Sequence, residues 1–182
     1  MKCKKIVLIS SILAAISYTN IANAGTLTDS AKINFTGSFQ SSTCSINLNN
    51  SDVSNNGTVE LVLGMHPIGE IKADGESTAA VPFAVNFSNC GGITGASVAF
   101  AGTQTTSSLF DLNSEENNTA VGIGINTSTT AGNYIAVGTP TTIDITDGSG
   151  AISFYARYVK IGDVAITGAD APATVTMNVT YS

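Results

Sequence analysis

Few side chains in this sequence are of types that act as nucleophiles, bases or ligands. The candidates that stand out by type or spacing are Cys3, Cys44 and Cys90, the single His66 in GMHPIG, and the adjacent Glu115 and Glu116 in NSEENN. A catalytic relay needs its histidine beside a placed nucleophile and an orienting acid. His66 stands alone in a turn-like stretch with Gly and Pro, so it reads as a solvated loop side chain. Metal sites gather several His, Cys or carboxylate ligands. Glu115 and Glu116 are chain neighbours that point to opposite faces of an extended backbone, so a solvated loop is expected there and no metal site. Gly122-Ile123-Gly124 lacks the later glycine and the helix of a dinucleotide-binding turn. Asn86 and Asn178 each open an Asn-x-Ser/Thr triplet, but both fall inside strand-like alternation. No catalytic constellation emerges, so neither an enzyme activity nor a cofactor is expected.

The two later cysteines acquire a meaning from the start of the chain. MKCKKIVLISSILAAISYTNIANAG has a basic opening (Lys2, Lys4, Lys5), an apolar run from Ile6 to Ile16, and Ala22-Asn23-Ala24 before Gly25. That order is a secretory signal peptide over 1–24. The apolar run of about 11 residues is shorter than the roughly 20 a membrane-spanning helix needs. Cys3 leaves with the peptide, and Cys44 and Cys90 remain. An even count in an exported chain reads as a disulfide. The bridge would close a loop of about 46 residues and stabilise the fold by roughly 4 kcal/mol on the chain-entropy model.

Cleavage also removes three of the seven basic residues and none of the thirteen acids, so the net charge of −6 falls by three more. Lys32, Lys72, Arg157 and Lys160 remain and are scattered. Nucleic acids and anionic membrane surfaces are held by clustered cations, so neither is an expected partner. Charged residues make up 11% of the chain, while the apolar content is 43% and patterned. Patterned apolar content excludes disorder, and sparse charge on an exported chain suits surfaces that pack against copies of themselves.

Short alternating runs between turn signals recur throughout, and no segment sustains a 3.6-residue period. VELVL (Val59 to Leu63), VPFAVNF (Val81 to Phe87), ASVAFAG, AVGIGI, YIAVG, TIDIT and ISFYARYV are punctuated by Gly, Asn, Asp, Ser and Pro. Regular short strands of this kind predict a β-sandwich or barrel. The clearest alternation comes last, in ATVTMNVTYS: Ala173, Val175, Met177, Val179 and Tyr181 share one face, with Thr174, Thr176, Asn178, Thr180 and Ser182 on the other. A second such strand precedes the first retained cysteine. In AKINFTGSF, Ala31, Ile33, Phe35, Gly37 and Phe39 share a face, and QSSTC then breaks the rhythm before Cys44, Ile46 and Leu48. From the pattern alone, the two terminal strands could pair within one sandwich.

Five features in order resemble the subunits of chaperone–usher fimbriae, nearest to major pilins of the type 1 kind. They are the alternating leader with Phe35 and Gly37, the first cysteine in STCSI, and the second closing VPFAVNFSNC. The aromatic–Ala156-Arg157-Tyr158 strand follows, and then Gly168 before the last strand with its penultimate Tyr181. The resemblance implies an all-β fold: an incomplete immunoglobulin-like sandwich lacking its final strand, completed by a strand donated from another chain. It divides the chain into a signal peptide (1–24), an N-terminal donor-strand extension (25–40) and a pilin domain (41–182). Ala31, Ile33, Phe35, Gly37 and Phe39 are then the donor residues. Ala173, Val175, Met177, Val179 and Tyr181 line the acceptor groove, and the Ser182 carboxylate gives a chaperone a charge to grip. The implied partners are further copies of the chain and related fimbrial subunits, a periplasmic assembly chaperone and an outer-membrane usher. A host receptor is reached only indirectly, through a tip adhesin, and the destination is the bacterial cell surface. The alternatives are a minor, adaptor or tip adhesin subunit, or a free-standing lectin-like sandwich. An adhesin places a receptor domain before its pilin domain, whereas this chain reads as one domain with a leader. Its aromatic content of 7% without tryptophan also offers little sugar-stacking surface.

Overall fold

The structure, a computed structural model, describes residues 44–182 apart from 55, 56, 114–116, 118 and 169. The expected signal peptide and the extension over 25–40, with Ala31, Ile33, Phe35, Gly37 and Phe39, lie outside the described residues, as do Glu115 and Glu116. The described residues are all-β, without a helix, and their ladders are antiparallel.

Among the described residues ten strands form two sheets: β1 (Ser45–Leu48), β2 (Ser51–Asp52), β3 (Val81–Ser88), β4 (Gly95–Ala101), β5 (Gln104–Thr106), β6 (Leu109–Phe110), β7 (Val121–Asn126), β8 (Thr141–Asp144), β9 (Gly150–Lys160) and β10 (Thr176–Tyr181). The larger sheet runs β2-β1-β3-β9-β7-β6-β5, and the smaller runs β10-β4-β8. Period-two alternation sorts the side chains. In β3, Phe83, Val85 and Phe87 are buried while Pro82 is exposed, and in β4, Ala96, Val98 and Phe100 point inward. The two inner faces meet in an aromatic cluster. Phe100 stands edge-on to Phe154 of β9 at 4.9 Å, and Phe83 stacks on Phe154 at 5.5 Å. Such pairs contribute about 0.5–1.5 kcal/mol each beyond their burial.

Cys44 and Cys90 are bridged, with Cα atoms 4.4 Å apart, and both are buried. The bond ties the start of β1 to the turn after β3, alongside the ladder that already pairs Ser45 with Ser88. Loop-closure entropy removed from the unfolded chain is the source of its stabilisation.

Two of the expected strands take other forms. Residues 59–63 keep the alternation, with Val59, Leu61 and Leu63 half-buried and Glu60 and Val62 exposed, yet they join no ladder among the described residues. Residues 134–138 bridge between elements. Ile135 N donates to Ile125 O at 2.8 Å, Val137 N to Ser107 O at 3.0 Å and Gly138 N to Phe100 O at 2.7 Å. Three successive bonds to three different places carry the segment from one sheet towards the other, so no single ladder forms. The last strand begins at Thr176 rather than Ala173, because β4 ends opposite it at Ala101. Ahead of it, Asn113 takes over the pairing: its N–H donates to Pro172 O at 2.7 Å and its side-chain amide to Thr174 Oγ1 at 2.9 Å.

Candidate functional site

The apolar face of β10 is only half-covered. Met177, Val179 and Tyr181 stand opposite Phe100, Val98 and Ala96 of β4, which are buried. All five expected groove residues, Ala173, Val175, Met177, Val179 and Tyr181, are half-buried, while Thr174, Thr176, Asn178, Thr180 and Ser182 face solvent. Ala173, Val175 and Met177 form one wall of a cleft of about 170 Å³, and Val59, Leu61 and Leu63 form the opposite wall. Its floor is the sandwich core itself: Phe83, Phe100, Ile123, Ile125 and Ala156. Three of the five expected residues, Ala173, Val175 and Met177, line this cleft, whereas Val179 and Tyr181 lie further along β10; residues 59–63, read from sequence only as a strand, line it too.

The backbone of β10 presents pairing groups on that side. Ser182 N donates to Gly95 O at 2.9 Å, and Gly95 N donates to Ser182 O at 3.1 Å. That exchange marks a hydrogen-bonded pair, and antiparallel ladders alternate such pairs with non-bonded ones. Thr180, Asn178 and Thr176 therefore point their backbone groups at Ser97, Ala99 and Ala101. The N–H and C=O groups of Tyr181, Val179 and Met177 point to the other edge, where the described residues supply no strand. An edge with unpaired amides beside half-covered apolar side chains is a template for another strand.

The far end of β10 is anchored. Tyr181 packs edge-on against Phe87, with ring centroids 6.4 Å apart, and burial pushes its hydroxyl pKa up. Thr94 N and Gly95 N both donate to Ser182 O at 3.1 Å.

His66 is not the freely solvated side chain expected from its turn-like surroundings. Its Nδ1 lies 2.8 Å from Glu70 Oε2 and its Nε2 lies 3.0 Å from Leu63 O. The ring stands edge-on to Tyr158 at 5.9 Å. Tyr158 in turn donates its hydroxyl to Ala171 O at 2.9 Å, and burial raises its pKa. His66 and Tyr158 border a second cavity of about 310 Å³ beside the cleft, with Met65, Ile68 and Ile166.

Arg157, expected in the aromatic–Ala-Arg-Tyr strand, lies in β9 and is 2% exposed. It points into the loop after β7, where its guanidinium donates to Ser128 O at 3.0 Å, Thr129 O at 3.2 Å and Asn126 Oδ1 at 3.3 Å. Asn126 itself donates to Thr130 O and Gly132 O, so the buried cation fixes a loop through carbonyl oxygens. Gly122 and Gly124 serve packing within β7. A Cβ added at Gly124 would lie 2.6 Å from the Tyr134 ring, so only glycine leaves room for that ring to close over the strand. Asn86 and Asn178 lie in β3 and β10, as their alternation implies.

The chain as a whole is similar to known proteins. A family model described as fimbrial protein matches residues 33–182. The S-fimbrial protein subunit SfaG of Escherichia coli O6:K15:H31 (strain 536 / UPEC) is 32% identical over 143 residues, or 72% of this chain and 76% of that protein. The fimbrial-like protein SfmA of Escherichia coli strain K12 is 28% identical across 95% of this chain and 98% of its own length. A chain in a solved chaperone–usher pilus matches the fold with a TM-score of 0.60 at 19% identity, over 87% of this chain and 100% of that one. The all-β sandwich thus shares the fold of a chaperone–usher pilus chain, and the chain belongs to the fimbrial protein family, whose members are non-enzymatic structural subunits.

Proposed function

We propose that this chain polymerises head-to-tail by donating its extension to the next subunit while its own cleft accepts another's. The single observation that carries the reading is the open edge of β10: outward-pointing amides at Met177, Val179 and Tyr181 beside a cleft floored by the core. A donor strand must match both features, and Ala31, Ile33, Phe35, Gly37 and Phe39 alternate at the required period. Large side chains entering the cleft contribute about 1.5–3 kcal/mol each, on the order of 10 kcal/mol for the set before ordering costs. Gly37 would occupy a shallow position. Because donor and acceptor are different surfaces, each contact leaves one of each free, and assemblies of that kind grow as filaments.

In this reading residues 1–24 direct export. A periplasmic chaperone covers the cleft and grips the Ser182 carboxylate until an outer-membrane usher delivers the subunit to the surface. A chain carrying its own donor strand fits the body of a fibre, as a major subunit, with adhesion supplied by a separate tip protein. The test is electron microscopy of cells making the chain without residues 25–40. Loss of fibres, with retained chaperone binding, is expected; fibres of normal length would overturn the proposal. Phe35→Asp, which would bury a charge in the cleft, should have the same effect in the full-length chain.

A further inference from the structure

Among the described residues, four large apolar side chains stand exposed: Val62, Met65, Ile68 and Val164, with Met65 fully in solvent. Single exposed apolar side chains need no explanation, whereas a group of them beside a cavity marks a contact surface. These four fall on two segments that meet in one place. Met65, Ile68 and Ile166 border the cavity of about 310 Å³, which continues the cleft from Leu63 to Gly64 on one wall and from Ala173 to Ala171 on the other. Ile68 joins the two segments, because a Cβ on Gly168 would lie 3.3 Å from Ile68 Cδ1. Val164 lies two residues before Ile166.

The opposite pole of the domain differs in kind. Cys44 lies there, bridged to Cys90, and Cys90 N donates to Gly148 O at 3.0 Å. Ser182 lies at the same pole, bonded to Thr94 and Gly95. The exposed positions of the 89–94 turn and the 146–149 hairpin are Asn, Gly, Thr, Asp and Ser. The six residues of β10, about 20 Å of strand, separate the two poles.

An extension donated by one copy leaves its body at the Cys44 pole. Phe39 and Cys44 are five residue steps apart, a reach of at most about 17 Å. The donor's body must therefore rest against whichever end of the acceptor cleft Phe39 occupies. At the Ser182 end it would meet the pole from which the acceptor sends out its own extension. The other end keeps the two contacts apart, and the exposed apolar side chains lie there. We propose that Val62, Met65, Ile68 and Val164 are a docking surface for the body of the donating copy, which seats its 89–94 turn and 146–149 hairpin on them. The surface rests on the cleft reading proposed above and adds to it a body-to-body contact outside the cleft. Met65, unbranched and with three rotatable bonds, can fit itself to the backbone of a glycine-containing turn.

The test is photocrosslinking in assembled fibres grown with a photoreactive methionine analogue. Beyond residue 24 the chain holds methionine at 65 and 177 alone. Position 177 should link to residues 31–39 of another copy, and position 65 to the 89–94 turn or the 146–149 hairpin of another copy, both as covalent dimers. Sulfoxide formation gives a second reading. Met65 in fibres should oxidise about tenfold more slowly than in the urea-unfolded chain, because a covered site reacts only while it is open. Links from 177 without links from 65, links from 65 to any other surface or to its own chain, or an unfolded-like oxidation rate at Met65 would overturn the docking surface and leave the cleft reading standing. Absence of dimers through 177 would overturn the cleft reading, and the docking surface with it.

Discussion

At the scale of residues, Val98 and Val179 face each other across the β4–β10 ladder with different burial: Val98 is 0% exposed, and Val179 is half-covered. The difference predicts unequal costs for the same mutation. Val98→Ala should destabilise the isolated subunit by about 2 kcal/mol, the transfer and cavity terms of a fully buried side chain. Val179→Ala should cost well under that in the monomer and approach it only when a strand covers the cleft. Urea midpoints of both variants, alone and polymerised, check this. Tyr158 gives a pH dependence of definite sign. Burial raises its pKa above the ordinary value near 10.0, and its protonated hydroxyl donates to Ala171 O. The unfolded tyrosine therefore ionises first. The contribution is fully present below pH 10 and is lost as pH rises through the folded value. Denaturant titrations from about pH 8 to pH 11 should show that loss, and Tyr158→Phe should reduce it while leaving the part due to Tyr181, whose pKa is also raised.

At the scale of elements, β10 is a strand with one edge in use. Its bonded pairs with β4 fall at Thr176, Asn178, Thr180 and Ser182, and the amides of Met177, Val179 and Tyr181 face outward. Amide exchange should follow that parity in the subunit stripped of donors, with even positions protected and odd ones fast, and the odd positions should become protected in fibres. Equal protection of both sets in the stripped subunit would mean the edge is already paired. The same alternation made much of the fold legible from sequence. VPFAVNF and ISFYARYV lie in β3 and β9, adjacent in the larger sheet, and TMNVTY of the last run forms β10 with its faces as read. The two-residue strands β2 and β6 are too short to show a period: β2 folds straight back on β1, and β6 is a brief link between β5 and β7. YIAVG carries β-type residues, but its amides go to β7, to the turn between β5 and β6, and to β4. VELVL alternates well and still joins no ladder among the described residues, because alternation reports which face is buried and says nothing about which backbone lies alongside. His66 was illegible for a related reason: its partners Glu70 and Leu63 are near in sequence, but only the turn brings both oxygens onto the ring.

At the scale of the whole molecule, the two sheets enclose a core that reaches the surface along one line, between β10 and residues 59–63. The Phe83–Phe100–Phe154 cluster joins the two sheets beneath that opening, and the disulfide ties the start of β1 to the turn after β3. An immunoglobulin-like subunit of the fimbrial family with this opening should gain stability when the line is filled, since a ligand that binds only the folded state stabilises it by mass action. Thermal unfolding of the protein trimmed of residues 25–40, with and without a peptide spanning Ala31 to Phe39, measures that gain directly. The native peptide should raise the melting temperature, and a peptide with Ile33→Ser and Phe35→Ser should raise it far less, because backbone pairing survives while burial in the cleft is lost. A trimmed domain that is fully stable alone and shows no shift with the native peptide would contradict the account, since the sandwich would then need no strand from outside.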